Sequence, residues 1–212
     1  MPPLTDSYKR AFCHQCSRPA RVCLCDAVTT IDNPIDVTIY RHSSETNKAV
    51  GTAVLCQLSL KNIRIIDGDT VMLGDNPQGK RRVLLFPPLA DGSSELIPPL
   101  TPQQIHRDGF SPPVELIVLD GSWKKARKMF YLSPELYRLP KLRLDVSARE
   151  ANYTIRKAEK SGQLSTLEAI ASALSSIENN RQKYRPLLAL QQAMVEQQLK
   201  QMTTKVRQRY DK

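Results

Sequence analysis

One run of residues restricts the fold more than any other: Val114-Glu115-Leu116-Ile117-Val118-Leu119, almost unbroken in apolar character and ending on Asp120-Gly121. A strand with one wet face alternates, whereas a strand covered on both faces reads as continuous, so the run predicts the centre of a parallel sheet flanked by helices. Trp123 to Tyr131 follows at once. It sets Trp123, Ala126 and Phe130 at helical spacing with Lys124, Lys125, Arg127 and Lys128 between them, the pattern of a basic amphipathic helix. Ligands of open α/β sheets bind at the carboxyl ends of strands, where a glycine lets the amides of the next helix approach them. The turn Asp120-Gly121-Ser122-Trp123 is therefore a candidate site. A plain strand-to-helix turn, capped by Asp120 or Ser122, is the alternative.

The remaining periodicities complete an α/β pattern. Ile35 to Tyr40 alternates as a strand, and Glu45 to Leu60 repeats apolar residues at Ala49, Val50, Ala53, Val54 and Leu58 as a helix. Asn62 to Ile66 and Arg82 to Phe86 read as short buried strands, the second stopped by Pro87-Pro88, and Lys141 to Val146 as a further strand. Ser165-Thr166-Leu167-Glu168 is a capping-box pattern that opens a helix with Leu167, Ile170, Ala171, Leu174 and Ile177 on one face. After Pro186 a terminal helix carries Leu187, Leu190, Met194 and Leu199 as its stripe.

A chain of 212 residues with a formal charge of +10 fits one sizeable domain plus a small appendage, and a polyanionic partner. Nucleic acid and an anionic membrane both satisfy the charge. No apolar run reaches the roughly 20 residues of a membrane-spanning helix, and Met1 to Asp6 lacks the basic-then-apolar pattern of a secretory signal, so a cytoplasmic protein with reduced cysteines is expected. A membrane-surface role fits poorly, because the apolar face of the basic helix is needed by the core. The oligomeric state is open, with a monomer the simpler expectation.

Four of the five cysteines fall in the first thirty residues, as Cys13-x-x-Cys16 and Cys23-x-Cys25. Four thiolates this close can converge on one tetrahedral zinc, which substitutes for a core in a short segment. Two disulfides, or four unrelated thiols, are the alternatives, disfavoured by a reducing compartment and by the clustering. His14 could replace one thiolate. The expected division is a cysteine module over 1–30 and a catalytic domain over 31–212, with Cys56 a core residue.

Asp120-Gly121-Ser122-Trp123 resembles the Asp-x-Thr-Trp signature of the DTW-domain family, and Ser165-Thr166-Leu167-Glu168-Ala169 resembles its second signature, Ser-Thr-x-Glu-Ala. The cysteine module, Glu45-Thr46-Asn47, Leu84-Leu85-Phe86-Pro87 and Tyr153-Thr154-Ile155-Arg156-Lys157 resemble family blocks in the same order, so the likeness spans nearly the whole chain. Ser122 departs from the usual threonine but keeps the hydroxyl. The resemblance implies a SPOUT-like α/β fold, mostly parallel and knotted. It further implies S-adenosylmethionine as co-substrate and transfer of its 3-amino-3-carboxypropyl group to the imide nitrogen of a variable-loop tRNA uridine, with methylthioadenosine leaving. Asp120 is then the candidate base, although an ordinary carboxylate is a weak one for an imide proton and would need burial, or would only orient the uracil. Motif matching assigns donor binding to Leu85, Pro87, Asp120, Ser122, Trp123, Thr166 and Glu168. Lys124, Lys125, Arg127 and Lys128 are expected on tRNA phosphates, and Arg156 or Lys157 on a phosphate or the donor's carboxylate. A SPOUT-type RNA methyltransferase and a noncatalytic zinc-knuckle RNA-binding protein are the competing readings.

Overall fold

The structure is a computed structural model that describes residues 11–16, 18–46, 51–87, 97–144 and 164–201. Four parallel strands, β1 (Asp36–Arg41), β2 (Ile63–Asp67), β3 (Arg81–Leu85) and β4 (Val114–Asp120), form a sheet in the order β2-β1-β4-β3. Around it lie α1 (Thr52–Ser59), α2 (Pro102–Arg107), α3 (Trp123–Tyr131), α4 (Thr166–Ile177) and α5 (Arg185–Gln201). None of the described helices is long and apolar enough to cross a membrane.

All seven residues of β4 are buried, as an unbroken apolar run in the sheet interior requires. Its alternate side chains enter two separate cores. Leu116 and Val118 join Val37, Ile39 and Val83 against α1, α2, α4 and α5, while Ile117 and Leu119 join Tyr40, Leu84 and Phe86 against α3. Helix α4 presents Leu167, Ile170, Ala171, Ala173, Leu174 and Ile177 to the larger core. Each of the fully buried Leu167 and Leu174 contributes about 1.5–3 kcal/mol through burial.

Several expectations change. Strand β2 lies at the sheet edge, with Arg64, Ile66 and Asp67 exposed, because a short apolar run cannot distinguish an edge from an interior position. Lys141 and Leu142 make only isolated bridges, to Leu84 and Leu100, and no strand forms over 141–144; residues 145 and 146 lie outside the described residues. The helix expected from Glu45 begins as a 3-10 turn over Ser43–Glu45 and resumes as α1 at Thr52, while 47–50 lie outside the described residues. The buried face of α1 is Ala53, Leu55, Cys56 and Ser59, so Val54 and Leu58 are only half-buried. Cys56 is a core residue, fully buried, with its thiol pushed up by burial and by the Asp120 charge.

Candidate active site at the carboxyl edge of the sheet

Asp120 is the last residue of β4 and its side chain falls on the α4 face of the sheet, where it is 8% exposed. The Thr166 hydroxyl donates to Asp120 Oδ1 over 2.5 Å. Thr166 is the first residue of α4, and its position follows from the cap beneath it. Ser165 Oγ accepts from the Glu168 amide at 3.2 Å, while Glu168 Oε2 accepts from the Ser165 amide at 2.7 Å. This closed box fixes the first turn and leaves the Thr166 hydroxyl to reach across to the strand. Two sequence signatures 46 residues apart thus meet in one hydrogen bond.

The other residues assigned to donor binding lie at or just beyond the carboxyl ends of β3 and β4 and at the first turns of α3 and α4. Leu85 ends β3 and is half-buried, and Pro87 is exposed two residues on. Phe86 between them is buried, stacked at 5.0 Å on Phe130 and tilted at 6.4 Å against Trp123, which is itself 39% exposed. Ser122 occupies the N-cap position of α3 without making a capping bond, so its exposed hydroxyl is not consumed by the helix. Glu168 has one carboxylate oxygen committed to its cap.

The end of β1 completes the edge, and the sequence pattern did not single it out. Arg41 pairs with Asp120 in the ladder and forms a bidentate pair with Asp67 at 2.6 and 3.0 Å. That pairing raises the Arg41 guanidinium above its ordinary value, with the Asp120 charge adding to it, and holds the Asp67 carboxyl down. His42 donates its backbone N–H to the Asp120 carbonyl at 2.9 Å. A Cβ on Gly121 would lie 3.3 Å from the Lys125 Cβ and 3.5 Å from the His42 Cβ, so only glycine lets the loop after β1 approach α3 without displacement. The signal that could have exposed His42 is its place directly after a strand that neighbours the central one.

Lys124, Arg127 and Lys128 are exposed and, with Tyr131 and Leu132, line a shallow depression of about 570 Å³ along α3. Lys125 faces elsewhere: its ammonium binds Glu45 at 2.8 Å and the Ser44 hydroxyl at 2.6 Å, clamping the loop after β1 to α3. Arg156 and Lys157 lie outside the described residues.

At the other end of the chain, the sulfurs of Cys13, Cys16, Cys23 and Cys25 all lie within 4.8 Å of one another, with Cys13–Cys25 at 3.6 Å and Cys16–Cys23 at 3.7 Å. Four sulfurs at about 2.3 Å from a tetrahedral ion would be roughly 3.8 Å apart, so the donor set and spacing are compatible with a metal. The Cys16 and Gln15 amides lower the Cys13 thiol to about 6, whereas burial and the neighbouring thiols push the Cys25 thiol up. Arg18, 6% exposed, donates to the Val22 carbonyl at 3.0 Å and places its charge near Cys16 and Cys23. His14 is exposed and outside the cluster. The segment is tied to the rest of the chain, since Leu24 enters the larger core and Gln197 donates to the Cys23 carbonyl.

The chain matches the family profile described as the DTW domain over residues 10–199. Among curated proteins it is similar to tRNA-uridine aminocarboxypropyltransferase 2 of Mus musculus, 31% identical over 204 residues that cover 93% of this chain and 66% of that protein. The Drosophila melanogaster protein of the same name is 28% identical over 185 residues, covering 81% of this chain and 68% of that one. tRNA-uridine aminocarboxypropyltransferase A of Arabidopsis thaliana is 26% identical over 223 residues, covering 91% and 83%. The chain therefore spans about two-thirds of the length of the animal relatives. No solved structure matches it.

Proposed function

Because the chain belongs to the DTW domain family, we propose that it is a tRNA-uridine aminocarboxypropyltransferase, acting on the imide nitrogen of a variable-loop uridine. The observation that carries this reading is the Thr166–Asp120 hydrogen bond, which brings both family signatures to the carboxyl edge of the central strand. Names of the similar proteins supply the reaction class. The accompanying fold reading is SPOUT-like with a knotted backbone, and the domain reading is a module over 1–30 holding structural zinc on Cys13, Cys16, Cys23 and Cys25 ahead of a catalytic domain over 31–212. We place the protein in the cytoplasm.

S-adenosylmethionine would supply a 3-amino-3-carboxypropyl group activated by its sulfonium, with methylthioadenosine as the leaving group. Leu85, Pro87, Ser122, Trp123, Thr166 and Glu168 would hold it. The exposed face of Trp123 and the uncommitted hydroxyl of Ser122 suit an aromatic, hydroxyl-bearing nucleoside. Asp120 faces the imide: its carboxylate, anchored by Thr166, accepts the N–H and takes the proton as the nitrogen–carbon bond forms. Holding the nitrogen in line with the electrophilic carbon supplies much of the remaining acceleration.

The test uses unmodified tRNA and S-adenosylmethionine labelled separately in its methyl and carboxyl carbons. Carboxyl label alone entering the RNA is the expected result; methyl label alone would make the chain a methyltransferase, and neither label with tRNA still bound would favour a binding protein. In the same assay Asp120→Asn should lower turnover by about a hundredfold, the lower end for loss of a positioned acid–base group. Near-normal turnover would remove Asp120 from the chemistry.

Lys124, Arg127 and Lys128 would meet tRNA phosphates. Replacing all three by alanine should weaken binding and flatten the plot of log K against log salt, by roughly 0.7–0.9 for each phosphate no longer neutralised. Lys125→Ala should flatten it least, its charge being already paired with Glu45. Equal slopes in wild type and triple variant would move the tRNA to another face.

A further inference from the structure

The group transferred in the proposed reaction is short and doubly charged. Its carboxyl carbon and its α-nitrogen each stand three bonds from the carbon under attack, a reach of about 4 Å. With Asp120 at the reacting centre, both charges must be met about one strand spacing away, ~4.8 Å.

Two strands adjoin β4 at that level. On the β3 side the chain runs Leu85, Phe86, Pro87 and brings no charge. On the β1 side the residue in register with Asp120 is Arg41, and the residue in register with Arg41 on β2 is Asp67. Side chains alternate along a strand, so each of the three shares a face with the residues two and four positions before it. Those are Val37 and Ile39 on β1, Leu116 and Val118 on β4, and Ile63 and Ile65 on β2, all packed in the larger core. Asp120, Arg41 and Asp67 therefore form one row of alternating charge on the α4 face of the sheet, at its carboxyl edge.

The middle of that row keeps donors in reserve. Arg41 commits Nε and Nη2 to Asp67, and among the described residues no hydrogen bond engages Nη1. Its guanidinium is held charged by the Asp67 bond first and by the Asp120 charge after it. Asp67 also bonds the Thr46 side chain, and its own side chain is 43% exposed, so a carboxylate with about four acceptor sites still has room for one more donor.

We propose that the Arg41–Asp67 pair binds the amino-acid end of S-adenosylmethionine, Arg41 Nη1 donating to its α-carboxylate and Asp67 accepting from its α-ammonium. The inference rests on the transferase reading above. The donor then lies across the strand ends, with its nucleoside at β3 and β4, its reacting carbon at Asp120 and its charged end over β1 and β2. The same pair fixes which carbon faces the uridine, because anchoring this end beside Asp120 brings the aminocarboxypropyl chain toward the nucleophile.

The test is equilibrium binding of two probes to the full chain by calorimetry. S-adenosylhomocysteine carries the amino-acid end, and methylthioadenosine lacks it. Arg41→Gln should weaken S-adenosylhomocysteine about ten- to a hundredfold, as for loss of a hydrogen bond between charged groups, and leave methylthioadenosine unchanged. Asp67→Asn should show the same selectivity. Equal losses for both probes would make the pair a general support of the site, and no loss for either would leave it a surface ion pair; either overturns the proposal. Should Arg41→Gln fail to fold, Arg41→Lys decides, since it keeps a cation beside Asp67 but lacks the planar fork: S-adenosylhomocysteine bound as tightly as by wild type overturns the Arg41 contact. A wild-type chain that binds S-adenosylhomocysteine through Arg41 yet transfers no aminocarboxypropyl group would overturn the transferase reading and not the subsite.

Discussion

Glu115→Ala is expected to destabilise the fold by about 3–5 kcal/mol, the usual cost of breaking a buried ion pair from one side, against a total of about 5–15 kcal/mol for an ordinary domain. Glu115 is 3% exposed on the central strand. Its Oε1 accepts from the Thr38 hydroxyl and Arg64 guanidinium, both at 2.7 Å, and its Oε2 from Arg82 at 2.9 Å. Arg64 continues to Thr38 at 2.8 Å, so one hydrogen-bonded row runs β2, β1, β4, β3 across the whole sheet. Removing the carboxylate leaves Arg82, whose side chain is 12% exposed, without its counter-charge. Urea unfolding at neutral pH checks this, and a loss below about 1 kcal/mol, the range of exposed pairs, would show that the row is not a structural unit.

The same network has an acid signature. Burial by itself would raise the Glu115 carboxyl, but bonds from Thr38, Arg82 and Arg64 outweigh it and hold the group below its ordinary value of 4.5. A carboxyl depressed in the folded state contributes stability that is fully present above the unfolded value and lost as pH falls through the folded one. Wild type should therefore lose stability on acidification below 4.5 more steeply than Glu115→Ala, and parallel curves would contradict the assignment.

Cys16→Ser is the second large change. Cys16 is 2% exposed and its sulfur is 3.7 Å from that of Cys23, so the serine hydroxyl replaces an interior sulfur of the cluster. With structural zinc bound there, binding free energy on the order of 10 kcal/mol is coupled to local folding, and most of it should go with one ligand. The expected result is wild type carrying one zinc per chain by elemental analysis and Cys16→Ser carrying none. A lower thermal midpoint should accompany it, because Leu24 would leave the larger core and Gln197 would lose the Cys23 carbonyl. Metal-free wild type with a midpoint unmoved by chelator would leave the cysteines as packed thiols.

Some of this was legible from residues close in sequence. The four cysteines, the capping box at Ser165 and Glu168, and the two-sided burial of β4 all depend on neighbours within a few positions, and each has its expected form. Asp120 and Thr166 stood out through their motifs. Hidden from the same reading were Glu115, submerged in an apolar run, and Lys125, one cation among four until Glu45 draws it to the loop after β1. His42 followed a strand whose neighbour was unknown, and the edge position of β2 was invisible for the same reason.

The division has one physical cause. Periodicity, capping and chelation act over a few residues of chain, so the sequence by itself determined the four sheet strands, where α4 begins and which thiols converge, but neither helix α2 nor the loss of the strand expected from Lys141. Strand order is decided by how faces are covered once the chain has collapsed. Only the tertiary structure placed β1 beside β4, and with that Arg41 beside Asp120, Thr166 on the Asp120 carboxylate from 46 residues away, and Arg64, Thr38 and Arg82 around one buried glutamate.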